Sequence, residues 1–143
     1  MTISMRRLMY GSVVGVTVAA SLPAFAQKDD VALKEERARR PRLTLRADPT
    51  VGFSPSKVRL TADLVGGAND YSEFYCPTIE WDWDDGTHSE SAFDCKPYEP
   101  GKSEIMRHFT VTHLFREGGY SVKVRLKRND QVVAAANAKI EVD

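Results

Sequence analysis

The sequence predicts an all-β domain, a sandwich of about seven antiparallel strands, on three observations. After Pro41 the apolar side chains recur at every second position, the period of a strand with one buried face. Clusters of Gly, Asn, Asp and Pro break these runs at short intervals. Nowhere in residues 42–143 does an apolar stripe of helical period develop.

The first element is an address. Residues 1–26 open with Met5-Arg6-Arg7, pass through small and apolar residues from Leu8 to Leu22 and close on Pro23-Ala24-Phe25-Ala26. A positive start, an apolar middle and an Ala-x-Ala end define a cleaved secretory signal peptide. The apolar run is shorter than the about 20 residues a membrane span needs, so no span is expected in the mature chain. No Cys follows the cleavage site to carry a lipid. Residues 27–41 are charged and poor in large apolar side chains, and read as a linker or a frayed helical arm. Their basic cluster, Arg37, Arg39 and Arg40 with Arg42, is expected to be a solvated tether.

The mature domain, residues 42–143, follows. Leu43, Leu45 and Ala47 alternate with polar residues, as do Val58, Leu60, Ala62 and Leu64, and then Ile79, Trp81 and Trp83. A short strand is expected from Thr87 to Ser91. The same parity returns at Phe109, Val111 and Phe115, at Tyr120, Val122, Val124 and Leu126, and at Val132, Ala134, Ala136, Ala138, Ile140 and Val142. Asp48-Pro49, Gly66-Gly67-Ala68-Asn69-Asp70, Asp84-Asp85-Gly86, Pro100-Gly101, Gly118-Gly119 and Asn129-Asp130 supply the turns. Strands of this kind hide their apolar faces by stacking as two sheets, an immunoglobulin-like arrangement.

Composition narrows the function. The chain of 143 residues has room for one core, and 20 basic residues balance 20 acidic ones. Nucleic acid is excluded as a partner, because phosphate affinity needs a net basic surface. In an exported chain an even pair of cysteines reads as a disulfide, here Cys76 with Cys95.

The run Trp81-Asp82-Trp83-Asp84-Asp85-Gly86-Thr87, then Thr112-His113-Leu114-Phe115, then Gly119-Tyr120-Ser121-Val122-Lys123-Val124-Arg125-Leu126, resembles the polycystic kidney disease (PKD) domain. That family shows a Trp-Asp-Phe-Gly-Asp-Gly turn, a His-x-Tyr strand end and a Gly-x-Tyr-x-Val strand, and the resemblance covers about residues 42–143. Asp84 stands where Gly is usual, Phe115 replaces Tyr, and the stretch from Thr87 to Ser103 is longer and carries Cys95. Physically, Trp81 and Trp83 are two apart and should both enter the core, while Asp82 and Asp84 accept hydrogen bonds from turn N–H groups. Tyr120 suits a tyrosine corner. His113 shares parity with apolar neighbours and needs a polar partner.

Two candidate sites emerge. Asp82, Asp84 and Asp85 place three carboxylates in four residues, which makes calcium the alternative cofactor to none at all, although their spacing is not that of an EF-hand. Tyr71, Phe74 and Tyr75 before Cys76, and Phe93 and Tyr98 around Cys95, would be gathered by the disulfide, as a binding platform or as a small core under the loop. The edge of the last strand, with Val133 and Ala135 on its outer parity, could pair with another chain. The chain is not expected to be an enzyme: His88, His108 and His113 fall in no local catalytic pattern, and a hydrolase would need a cleft placing His88 beside Asp82 or Asp94. The resulting expectation is an exported, non-catalytic interaction module, periplasmic or secreted, whose partner is an envelope protein or a polysaccharide. A carbohydrate-binding or calcium-dependent adhesive module is the alternative, and a small secreted hydrolase a distant third.

Overall fold

Alternation becomes two facing sheets. The computed structural model describes Gly15 and residues 24–143; the predicted signal peptide lies outside the described residues except for Gly15 and Ala24–Ala26. Strands β1 (Arg42–Asp48), β3 (Ser56–Val65) and β6 (His108–Phe115) make one sheet in the order β1-β3-β6. Strands β2 (Val51–Gly52), β8 (Gln131–Val142), β7 (Gly118–Arg128), β4 (Thr78–Asp82) and β5 (His88–Ser91) make the other, in the order β2-β8-β7-β4-β5. Val58, Leu60, Ala62 and Leu64 of β3 meet Val122, Val124 and Leu126 of β7 in the shared core, all at most 3% exposed. This is the predicted β-sandwich.

Two details depart from the expected strands. Strand β2 was not foreseen: two residues between Pro49 and Pro55 carry no periodicity, and they pair in parallel with Glu141 and Val142 of β8. Along β8 the register slips opposite Leu126 and Lys127, whose partners are Ala134 and Val132. The extra residue, Val133, reverses parity beyond the bulge. Val132, expected inside, is therefore exposed, whereas Val133, expected outside, packs against the core.

The arm is a helix with a fixed end. Helix α1 (Ala24–Arg39) is exposed from Lys28 onward, yet its last turn is bonded to the domain. Tyr71 donates its hydroxyl to Glu36 at 2.7 Å, Arg40 pairs with Glu73 at 2.8 Å, and the Ala68 N–H donates to the Arg39 carbonyl at 2.8 Å. Burial and the Glu36 carboxylate push the Tyr71 hydroxyl up to about 12, so it stays a donor. A freely solvated tether is therefore corrected to a docked helix end. No helix among the described residues is long and apolar enough to cross a membrane.

The long crossover from β5 to β6, residues 92–107, has no regular structure and is tied down residue by residue. The Cys76–Cys95 disulfide holds its start, Tyr98 donates to the Asp70 carbonyl at 2.7 Å, and the Ile105 N–H donates to the Asn69 carbonyl at 2.8 Å. Arg107 closes it, with Nε on Asn69 Oδ1 at 2.8 Å and Nη1 on the carbonyls of Leu64 and Gly66 at 2.9 and 2.8 Å.

Candidate functional site

The Trp-Asp turn is self-satisfied. Trp81 and Trp83 enter the core and lie parallel, ring centroids 5.6 Å apart, and the His113 ring stacks on Trp83 at 4.1 Å. His113 Nε2 donates to Asp85 Oδ2 at 2.8 Å, the polar partner its parity demanded. Asp85 Oδ1 accepts from the Thr87 N–H at 2.9 Å, Asp82 Oδ1 from the Asp84 N–H at 3.2 Å, and Asp84 Oδ2 from the Ser121 N–H at 2.8 Å. Asp84 has φ of 60°, the left-handed region that disfavours a side chain with a β-carbon and that glycine adopts freely. Tyr120 donates to the Arg116 carbonyl at 3.1 Å and forms the expected corner. Among the described residues, no three His, Cys, Asp or Glu side chains converge as a metal site would need.

A pH dependence follows from Asp85. Burial raises its carboxyl, but the hydrogen bonds from Thr87 and His113 outweigh that, and the net pKa lies below the ordinary aspartate value. Its contribution is therefore present above the unfolded value of about 3.9 and is lost as pH falls through the depressed folded value. In urea titrations from pH 6 to pH 3, Asp85→Asn should be less stable than the parent at pH 6 and the gap should narrow toward pH 3. A gap that stays constant would show that the carboxylate charge contributes nothing there.

The loop aromatics divide between core and surface. Phe74 is fully enclosed and Tyr71 buried, edge to face at 5.1 Å, so in this structure neither is open to a partner. Tyr75 and Tyr98 meet at 5.3 Å, each half-buried, with hydroxyls on the carbonyls of Lys96 and Asp70. Phe93 stands apart at 38% exposure, tilted against Phe109. The disulfide joins Tyr75 and Tyr98 but leaves Phe93 on a different face, beside β6.

There the two sheets gape. Among the described residues, β5 and β6 are edge strands of opposite sheets, and a slot of about 250 Å³ opens between them, lined by Ile79, Trp81, Phe93, Met106, Phe109 and Val111. Ser89 pairs with Trp81 and Ser91 with Ile79, so both serines face inward. Small polar groups sit where large apolar ones would close the core, and this creates the slot. Sequence reasoning found β5 but not the slot; the signal was a strand, His-Ser-Glu-Ser, with no apolar residue on either face. A second hollow, on the outer face of β4, holds Asp82, His88 and Glu80, with His88 opposite Asp82 in register. The Lys127 and Arg125 side chains bonded to Glu80 keep its carboxyl below the usual range.

No family model and no curated protein matches the chain. Among solved structures, it is similar to the CARDB domain of the PF1109 protein from Pyrococcus furiosus, in complex with di-metal ions, at 11% identity over 73% of this chain and 94% of that one, with a TM-score of 0.41. It is also similar to the superoxide reductase (neelaredoxin) from Ignicoccus hospitalis, at 12% identity over 85% of this chain and all of that one, with a TM-score of 0.43. Likeness at this level carries no argument about ligand or chemistry. The geometry of the chain itself corrects one expectation. The chain was expected not to be an enzyme for want of a cleft placing His88 beside Asp82, yet the hollow on the outer face of β4 holds both residues, paired in register. The exclusion of catalysis is withdrawn.

Proposed function

We propose that the chain is an exported, PKD-like protein-interaction module, working in the periplasm or outside the cell, which takes an extended segment of a partner protein along the free edge of β6. The leader-like first segment and the disulfide support export. The observation that carries the interaction reading is how unequally the edges are guarded. Exposed strand edges invite pairing and are commonly blunted by charge, proline or brevity. β1 bears Arg42 and Arg46, β2 is two residues long between prolines, and on the open side of β8 the Arg40 guanidinium caps the Val133 carbonyl. That cap also answers the expectation that the last strand offers a free edge: part of it is covered. β6 presents eight residues, His108–Phe115, without Lys, Arg or Pro, next to an apolar slot.

Photo-crosslinking side chains placed at Thr110 on β6, at Ser91 on β5 and at Arg46 on β1 test this in the native compartment. The first two should form the same protein adduct and Arg46 none. Adducts only from Arg46, or equally from all three, would contradict the reading. A second reading, association with an acidic polysaccharide, draws on the hollow under the disulfide, where Tyr75 and Tyr98 meet Lys96 and Arg128. Binding to uronic-acid glycans that disappears in Tyr98→Ala is its test.

A further inference from the structure

The slot between β5 and β6 has the form of a place left for a strand. In the five-stranded sheet β5 is the last strand, in the three-stranded sheet β6 is the last, and the crossover that joins them, residues 92–107, contributes no strand to either. Its two ends merely wall the opening with Phe93 and Met106, 38% and 40% exposed. The inward serines of β5 leave Ile79 and Trp81 under the gap. The space is apolar at its base, bounded by backbone at its side, and open to solvent.

Resting on the interaction reading above, we infer that the occupant is a free extended segment of another protein that alternates large apolar side chains, which enter the slot, with acidic or hydroxyl side chains, which face outward. Main-chain pairing with β6 would supply general affinity and the slot would supply selectivity, the usual division in strand addition. Two observations fix this choice. A second copy of the chain could pair its β6 with this one, but its inward residues Phe109 and Phe115 are already buried in its own core, and the slot would stay unfilled. Only a segment with no core of its own has apolar side chains to give.

Charge decides the other face. The outer side of the three-stranded sheet carries Arg42, Arg46, Lys57 and Arg59 against Asp48 and Asp63. Asp63 is occupied, since Arg46 bonds it at 3.1 Å and His108 at 2.7 Å. A strand laid beside β6 joins this sheet, and its outward residues meet a net positive surface, which favours carboxylates over amines. The outward residues of β6 itself, His108, Thr110, Thr112 and Leu114, bring no carboxylate to oppose it.

The probe is a blocked ten-residue synthetic peptide alternating phenylalanine with glutamate, and its control contains the same residues in two blocks. Both are titrated into the oxidised protein taken from its native compartment, with Trp fluorescence and calorimetry as readouts. The alternating peptide should bind and the block peptide should not. Ser89→Leu and Ser91→Leu fill the slot from within, so affinity should fall by about tenfold or more while the melting temperature holds or rises. Lys57→Glu with Arg59→Glu should weaken the glutamate peptide and leave a phenylalanine–threonine version unchanged.

Equal binding of both peptides, or undiminished affinity in the filled variants, overturns the inference. So does a protein dimer, seen by sedimentation, that the peptide does not dissociate. Should the filled variants not fold, Phe93→Ser alters an exposed wall instead; a loss of about fivefold or more is expected, and no change overturns the proposal. If adducts from Thr110 persist at full yield in the filled variants, the edge interaction stands and the slot's role fails. If the peptide behaves as described but no native adduct forms, the slot chemistry stands and the interaction reading fails.

Discussion

Trp83→Ala is expected to cost about 3–5 kcal/mol, the range for removing a buried large aromatic side chain. Trp83 is 3% exposed and stands in an aromatic stack, parallel to both Trp81 and the His113 ring, with the edge of Phe115 against it at 6.4 Å. Removing it deletes a large apolar surface and leaves the His113–Asp85 pair without the ring that orients it. For a domain whose stability is of the order of 5–15 kcal/mol, that is a substantial part of the total. Urea unfolding followed by far-UV circular dichroism should show a lower midpoint at unchanged slope. Trp83→Phe keeps a ring in the stack and should recover a good part of the loss. An unfolding free energy within about 0.5 kcal/mol of the parent, the level of an ordinary surface change, would contradict the packing described here.

The second large effect belongs to the disulfide. Cys76 and Cys95 are separated by 19 residues, and closing a loop of that size contributes about 3 kcal/mol by the loop-entropy model. Paired replacement by serine should lower stability by that order. The damage should also be local. The crossover would lose its anchor near Phe93, while Arg107 would still hold the far end through Leu64, Gly66 and Asn69. Limited proteolysis should then cut within residues 92–104 and spare the strands, since cleavage follows local opening. Unchanged melting with a protease-resistant crossover would show the bridge to be redundant.

Much of this fold was legible because its core is written in twos. Val58, Leu60, Ala62 and Leu64 read as a buried face and are one. The aspartate turn and Tyr120 were legible for a related reason: part of their hydrogen bonding is local, reaching from Asp85 to Thr87 and from Tyr120 to Arg116, although Ser121 and His113 reach the turn from other strands. Features that depend on distant partners were not. Arg107 is one more charged residue in sequence, and only the fold brings Asn69, 38 positions away, to its guanidinium. The bulge at Val133 is set by the register against β7, which alternation within one strand does not encode. The slot is the hardest case, because it is an omission. Two serines on a four-residue strand resemble any polar loop until their pairing with Ile79 and Trp81 shows which way they face.

The open edge of β6 matters most, because the proposed interaction requires that edge to be unpaired in the isolated protein. Amide hydrogen exchange along His108–Phe115, read with and without the alternating peptide, addresses this directly. In the free protein, amides bonded to β3 should be protected and those at the open edge should exchange quickly. On binding, the fast set on β6 should slow by at least tenfold, with little change along β1 or β8. Edge amides already protected in the free protein, or new protection on β8 instead of β6, would contradict the account.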